Sequence, residues 1–301
     1  MLKYVLSVFV VAALATPASA QVAYLSRTGS GSTCSSAAPC ASMQTALTVA
    51  GAKGEVICLD KGYYGPALIT QPISISCSDG WWEAGSVHVN TPAGSDVIIE
   101  GMVLDDHGFQ GAAFLMDGQG ALHLRRARVG NASGSTLGVD FEPNGPATLH
   151  VTDSVFYNNG GSGVLIKPQS GGSANVHIRH VRFEHNLHGL FVDGSNGTVN
   201  VNIAETAAVD NQQNGIGAFS PGSASVTVSV ISSQITGNLA NGIGSLGTGA
   251  GSVAVKIGNS QITGNVNGLS TGGTGQIVTL GGNHLHSNLS DGTFTGSILT
   301  R

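Results

Sequence analysis

The chain has 301 residues and a formal charge of −5; only 10% of it is charged, beside 45 glycines and a hydrophobic fraction of 41%. Without a basic stripe to displace counterions from phosphate, a nucleic-acid partner is excluded. A disordered glycine-rich tail is excluded by the hydrophobic fraction, and the balance points to many short strands joined by tight turns.

Residues 1–20 come first. Lys3 is followed by the apolar run YVLSVFVVAALA and then by the small residues Ala18-Ser19-Ala20. This is the pattern of a signal peptide, with cleavage expected before Gln21. The run is too short to span a bilayer, and no later segment is long and apolar enough, so a soluble, exported protein is expected. Loss of the leader removes Lys3 and leaves 11 basic and 17 acidic residues, a charge of −6.

Cys34, Cys40, Cys58 and Cys77 come next along the chain. In an exported chain an even count reads as disulfides. Of three possible pairings, Cys34–Cys40 with Cys58–Cys77 is favoured because each closes a short loop. Residues 42–50 (SMQTALTVA) form the one plausible helix, just ahead of a first strand at 56–59. Helix and disulfides are expected to cap the open end of a stacked repeat region. The chain therefore divides into a leader (1–20), a cap with the first strand (21–60) and the repeat region (61–301), the last two forming one domain.

The repeat region is marked by asparagines. Asn159, Asn186, Asn211, Asn238, Asn265 and Asn288 are separated by 27, 25, 27, 27 and 23 residues. Three or four residues after each comes a glycine: Gly163, Gly189, Gly215, Gly242, Gly268 and Gly292. Each unit carries three short alternating runs, such as Val176-His177-Ile178, Val181-Arg182-Phe183 and Leu190-Phe191-Val192, with the period of a strand. Similar runs lie upstream, at Ile73-Ser74-Ile75, Val97-Ile98-Ile99 and Leu122-His123-Leu124. A coil of three strands stacked on itself accounts for the interval, with equivalent residues about 4.8 Å apart. Two inward stacks are expected: Val139, Val164, Leu190, Ile216, Ile243, Leu269, and Val129, Phe156, Phe183, Ala208, Ile235, Ile262. The asparagines are expected to stack at one turn and bond to one another. The following glycines are expected to adopt a backbone conformation that other residues resist. No cap comparable to the first is evident after Asn288, so that end is expected to be covered by the tail TFTGSILTR or by another subunit.

The pattern TGN-x-x-N-G-I, together with the openings AYLSRTGSGSTCSSAAPCASMQTAL and GEVICLDKGYYGPALITQPISISC, resembles secreted bacterial proteins with right-handed parallel β-helix repeats, in the pectate-lyase-like superfamily. The resemblance covers residue 22 to the end. It implies an all-β, right-handed parallel β-helix with three short strands per coil and a short N-terminal helix. It also implies that a substrate cleft runs along the sheet after the asparagine turn.

On that sheet the outward positions read, coil by coil, Leu115 and Asp117; Asp140 and Glu142; Leu165 and Lys167; Phe191 and Asp193; Gly217 and Phe219; Gly244 and Leu246. As a polysaccharide site, neighbouring carboxylates repel, so one can keep its proton and act as an acid, at a separation approaching that of retaining glycoside hydrolysis. Candidate catalytic residues are Asp117, Asp140, Glu142, Lys167 and Asp193, with Lys167 as the base of a lyase. Ca²⁺ is the cofactor to expect in that case, and none otherwise. Phe191 and Phe219 are expected to stack on sugar rings. The competing view is a charge ladder, Asp117–Glu142–Lys167–Asp193, worth only about 0.2–1 kcal/mol per pair.

Against an enzyme, the chain has no Gly-His-Gly and no Arg-Ile-Lys, nor the paired arginines around proline of the lyases. Asp105-Asp106 is present but is expected at a turn. His123, His150 and His177 form another outward column, continued by Asn202, Ser229 and Lys256. A straight column does not converge its nitrogens, so no metal is assigned. Arg126, Asp153, His180 and Glu205 alternate in charge at a turn, and Arg125, Arg128, Arg179 and Arg182 make a local basic patch.

The function expected is that of a secreted or periplasmic protein that interacts with extracellular or cell-wall carbohydrate, without evident catalysis. The alternatives are a polysaccharide lyase or glycoside hydrolase acting on an acidic polysaccharide, and a structural surface protein that self-associates through its C-terminal end.

Overall fold

The computed structural model describes residues 20–77, 82–83, 85–105 and 112–298. Residues 1–19 of the expected leader (1–20), Asp106 and the last three residues lie outside these. One coil shows the plan. Ser173–Arg179 lies in the first sheet, Arg182–Glu184 in the second and Leu190–Asp193 in the third, and the chain re-enters the first sheet at Thr198–Ala204. Repetition builds sheets of twelve, ten and nine parallel strands among the described residues. The chain is thus a parallel β-helix of three strands per coil, with a single short helix near its N-terminus among the described residues.

Strand alternation explains why the coil closes. Every second residue of a strand points inward, and both expected apolar stacks form in register. Val139 pairs with Val164, then Leu190, Ile216, Ile243 and Leu269. Val129 leads through Phe156, Phe183, Ala208 and Ile235 to Ile262. All twelve are buried.

The asparagine ladder also forms. Asn159 Nδ2 donates to Asn186 Oδ1 at 2.8 Å, and the pattern continues through Asn211 (3.2 Å), Asn238 (2.9 Å), Asn265 (2.8 Å) and Asn288 (2.9 Å). Each Oδ1 from Asn186 to Asn288 also accepts from the backbone N–H of the asparagine one coil earlier. Each Nδ2 reaches a second-sheet carbonyl of the preceding coil, such as Ala208 O at 3.1 Å from Asn238. At the last coil Asp291 Oδ1 accepts from both nitrogens of Asn288. That terminating carboxylate breaks the repeat spacing, which hides it in the sequence.

The glycines after the ladder differ from expectation. Of the six, only Gly292 has a positive φ, of 72°. The left-handed residue is the one before each asparagine: Asn158, His185, Asp210, Gly237, Gly264 and Ser287. The following glycine is needed for lack of room. A Cβ on Gly242 would sit 2.8 Å from the Asn265 amide nitrogen, and one on Gly268 would sit 2.7 Å from that of Asn288. A side chain there would press the ladder out of register.

At the N-terminal end the helix spans Met43–Ala50 and buries Met43, Ala46, Leu47 and Ala50. The first strand is not the one at 56–59. Val22–Leu25 precedes the helix and pairs with Gly54–Cys58. The disulfides are Cys34–Cys40 and Cys58–Cys77. At the other end the tail strand Gly296–Ser297 adds to the first sheet beside Val278 and Thr279. The tail therefore covers part of that end, as one of the two expectations held. Asp105 is not at a turn. It closes the second-sheet strand Met102–Asp105 and accepts from Asn131 Nδ2.

Candidate functional site

The third sheet carries two outward columns. The first runs His88, Leu115, Asp140, Leu165, Phe191, Gly217, Gly244, Ser270. The second ends Asp193, Phe219, Leu246, Gly272. Asp117, Glu142 and Lys167 follow their strands at the equivalent position, each donating its backbone N–H to the coil before. The candidate catalytic residues and the two phenylalanines therefore share one face.

Their contacts divide that face. Asp117 Oδ1 lies 2.7 Å from His88 Nε2. Lys167 Nζ lies 3.9 Å from Asp193 Oδ2, and Asp193 also accepts from the backbone N–H of Ser195 at 2.8 Å. The lysine thus leans to one flanking acid. Neighbouring carboxylates on adjacent coils reduce to Asp117 and Glu142; the neighbours of Asp140 in its column are Leu115 and Leu165.

That placement makes Asp140 unusual. Its Oδ1 is buried and finds no hydrogen-bond partner among the described residues. Burial first, and the charge of Glu142 second, push its carboxyl up to about 7, against an opposing pull from Lys167. The leucines were visible in the sequence at these positions; their desolvating effect is what reading charges alone overlooks.

Beyond Phe191 the same face becomes a trough of about 220 Å³. Its floor is open at Gly244, and at Gly217 the missing side chain makes room for the Phe191 ring. One wall holds Phe219 and Leu246, and the other holds Asn214 and Asn241. These asparagines belong to a second, half-buried ladder. Asn267 Nδ2 donates to Asn241 Oδ1 at 3.1 Å, and Asn241 Nδ2 donates to Asn214 Oδ1 at 2.7 Å. Its head is His188, whose Nδ1 accepts from the Asn214 backbone N–H at 3.3 Å. The His188 ring lies 4.8 Å from that of Phe191, and burial holds its pKa down to about 4. This second ladder is the N of x-x-N-G in the repeat, spaced 27 and 26 residues, and it was legible on that spacing.

The first-sheet histidines stack face to face, with ring centroids 4.5 Å apart for His123 and His150 and 4.9 Å for His150 and His177. His123 Nε2 is 2.9 Å from Asp96. Burial, then the two flanking imidazoles, lower the pKa of His150. Parallel rings hold their nitrogens in a row. Among the described residues no group of three or more His, Cys, Asp or Glu is arranged to hold a metal ion. At the turn column His180 contacts both Asp153 and Glu205, Arg126 pairs with Glu100, and Arg179 pairs with Glu205. In the basic patch Arg182 pairs with Glu184, and Arg128 lies over the Tyr157 ring. Both sets of contacts join a coil to itself or to its neighbour.

The fold and this face define a class, a β-helix with a grooved third sheet. No family model matches the chain, and no curated protein matches it. Among solved structures it is similar to the crystal structure of pectate lyase Pel9A, with 13% identity, a TM-score of 0.49, and coverage of 93% of this chain and 78% of that one. In the described residues no helix is long and apolar enough to cross a membrane.

Proposed function

We propose that the protein is exported and holds a carbohydrate chain in the trough of the third sheet. One observation carries this reading: a floor open at Gly244 lies between a row of amides and the apolar faces of Phe219 and of Phe191, whose ring rests on Gly217. A sugar ring presents apolar faces and hydroxyl edges. Aromatic rings match the first, and amides, which both donate and accept, match the second. Phe191→Ala is expected to weaken retention in polysaccharide affinity electrophoresis at least ten-fold, and unchanged retention would contradict the reading. Export fits the two disulfides, which persist in oxidising compartments. The protein recovered outside the cytoplasm is expected to begin at Gln21, and recovery with Met1 intact would argue against export.

A second reading, polysaccharide cleavage, is favoured by Asp140, whose carboxyl retains its proton to about pH 7 beside Glu142 and Lys167. Such a group can serve as an acid near neutrality. Lys167 would take the role of base in a lyase, and Asp117, Glu142 and Asp193 would set its charge environment. Reducing ends or unsaturated products from a polysaccharide panel, abolished by Asp140→Asn, are the result this reading requires. Binding without product leaves the first reading alone.

A further inference from the structure

We infer that the trough selects an uncharged sugar chain and excludes uronates and sulfated glycans. This rests on the proposed carbohydrate reading and specifies its ligand.

The third sheet changes character along its length. Toward the N-terminus it presents His88, Asp117, Asp140, Glu142, Lys167 and Asp193. From Phe191 onward no described residue lining the trough carries a charge. The change is written in the sequence, for residues 211–290 contain one charged side chain, Lys256, which lies on the first sheet. A carboxylate or sulfate entering the trough would lose water without meeting a cation, and an unpaired charge is costly to desolvate. The nearest lysine on the face, Lys167, already faces Asp193 at 3.9 Å. His188, which bonds to Asn214 at the head of the second ladder, supplies no cation either, for burial holds its pKa down to about 4. The formal charge of −6 without the leader, 11 basic and 17 acidic residues, also repels an anionic chain before contact.

The groups present suit hydroxyls. Asn214 and Asn241 offer amides held in place by their ladder, and Ser270 and Thr271 close the far end. From Phe191 to Ser270 the trough crosses three coil steps, about 14 Å along the axis at the strand spacing. That length suits a short oligosaccharide lying along the helix axis.

Gly244 provides a clean test. A Cβ there meets nothing closer than 3.5 Å, so a larger side chain fills the floor without displacing backbone. The leaderless full-length chain, its Gly244→Leu and Phe219→Ala variants, and Ser229→Leu on the first sheet as control would be titrated calorimetrically. The probes are cellohexaose, xylohexaose, mannohexaose and hexagalacturonate. Binding of at least one neutral hexamer is expected, at least ten-fold weaker in both trough variants and unchanged in the control, with no heat from hexagalacturonate. Hexagalacturonate binding that Gly244→Leu abolishes would overturn this inference while leaving carbohydrate binding in place. Binding of no probe would overturn both.

Discussion

Asn238→Ala is expected to destabilise the protein by roughly 3–5 kcal/mol, since buried groups left without partners cost roughly 1–3 kcal/mol each and a cavity adds to this. Asn238 is fully buried, and its side chain serves Asn211, Asn265, Ala208 and Thr236. Its Oδ1 accepts from the Asn211 backbone N–H at 3.1 Å and from Asn211 Nδ2 at 2.9 Å, and its Nδ2 donates to Asn265 and to Ala208 O. Alanine leaves the Asn211 N–H facing a void. Asn288→Ala, at the half-buried end where Asp291 caps the ladder, is expected to cost less, about 1–2 kcal/mol, because water can reach the groups it leaves at Asn265. Urea denaturation of the two variants checks this. Equal losses would mean that the asparagines act as separate turns rather than as one buried ladder.

The second large effect concerns Asp140 and depends on pH. In the folded protein its carboxyl keeps its proton to about pH 7, whereas the ordinary value is 3.8. Below pH 3.8 the group is neutral in both states. As pH rises from there, the unfolded chain releases the proton first, so folding stability falls, and the fall is complete above about pH 7. Asp140→Asn removes the titration. The variant is expected to match the parent near pH 4 and to be more stable by roughly 2–4 kcal/mol at pH 8. Denaturation of both proteins across that range measures the gap. A gap that stays constant with pH would show that burial between Leu115 and Leu165 does not hold the proton. The same variant separates structure from chemistry: if it gains stability and loses a cleavage activity, Asp140 has been kept at a cost to the fold.

Much of the fold was legible because a coil converts sequence interval into vertical neighbourhood. Val139 to Leu269 and Asn159 to Asn288 needed only their spacing. The disulfides could be read from loop length. What resisted reading has physical causes. A glycine required for a positive φ and one required for close approach look the same in a sequence, so Gly242 and Gly268 were assigned the wrong reason. The true left-handed column mixes Asn158, His185, Asp210, Gly237, Gly264 and Ser287, and no residue type marks it. Asp291 sits three residues after its partner and outside the repeat interval, so the cap on the ladder is local and aperiodic. On the candidate site, charge drew the reading toward Asp117, Glu142, Lys167 and Asp193. The trough is made by absent side chains at Gly217 and Gly244, and an absence becomes visible only once its neighbours are placed around it.

The claim that the third sheet receives a sugar chain is tested most directly by nuclear magnetic resonance of the isotopically labelled protein during addition of a neutral hexasaccharide that it binds. Shifts are expected at the backbone amides of Gly217 and Gly244 and at the side-chain amides of Asn214 and Asn241. Shifts confined to the first sheet, around His150, His177 and Asn202, would place the binding face elsewhere and contradict the account.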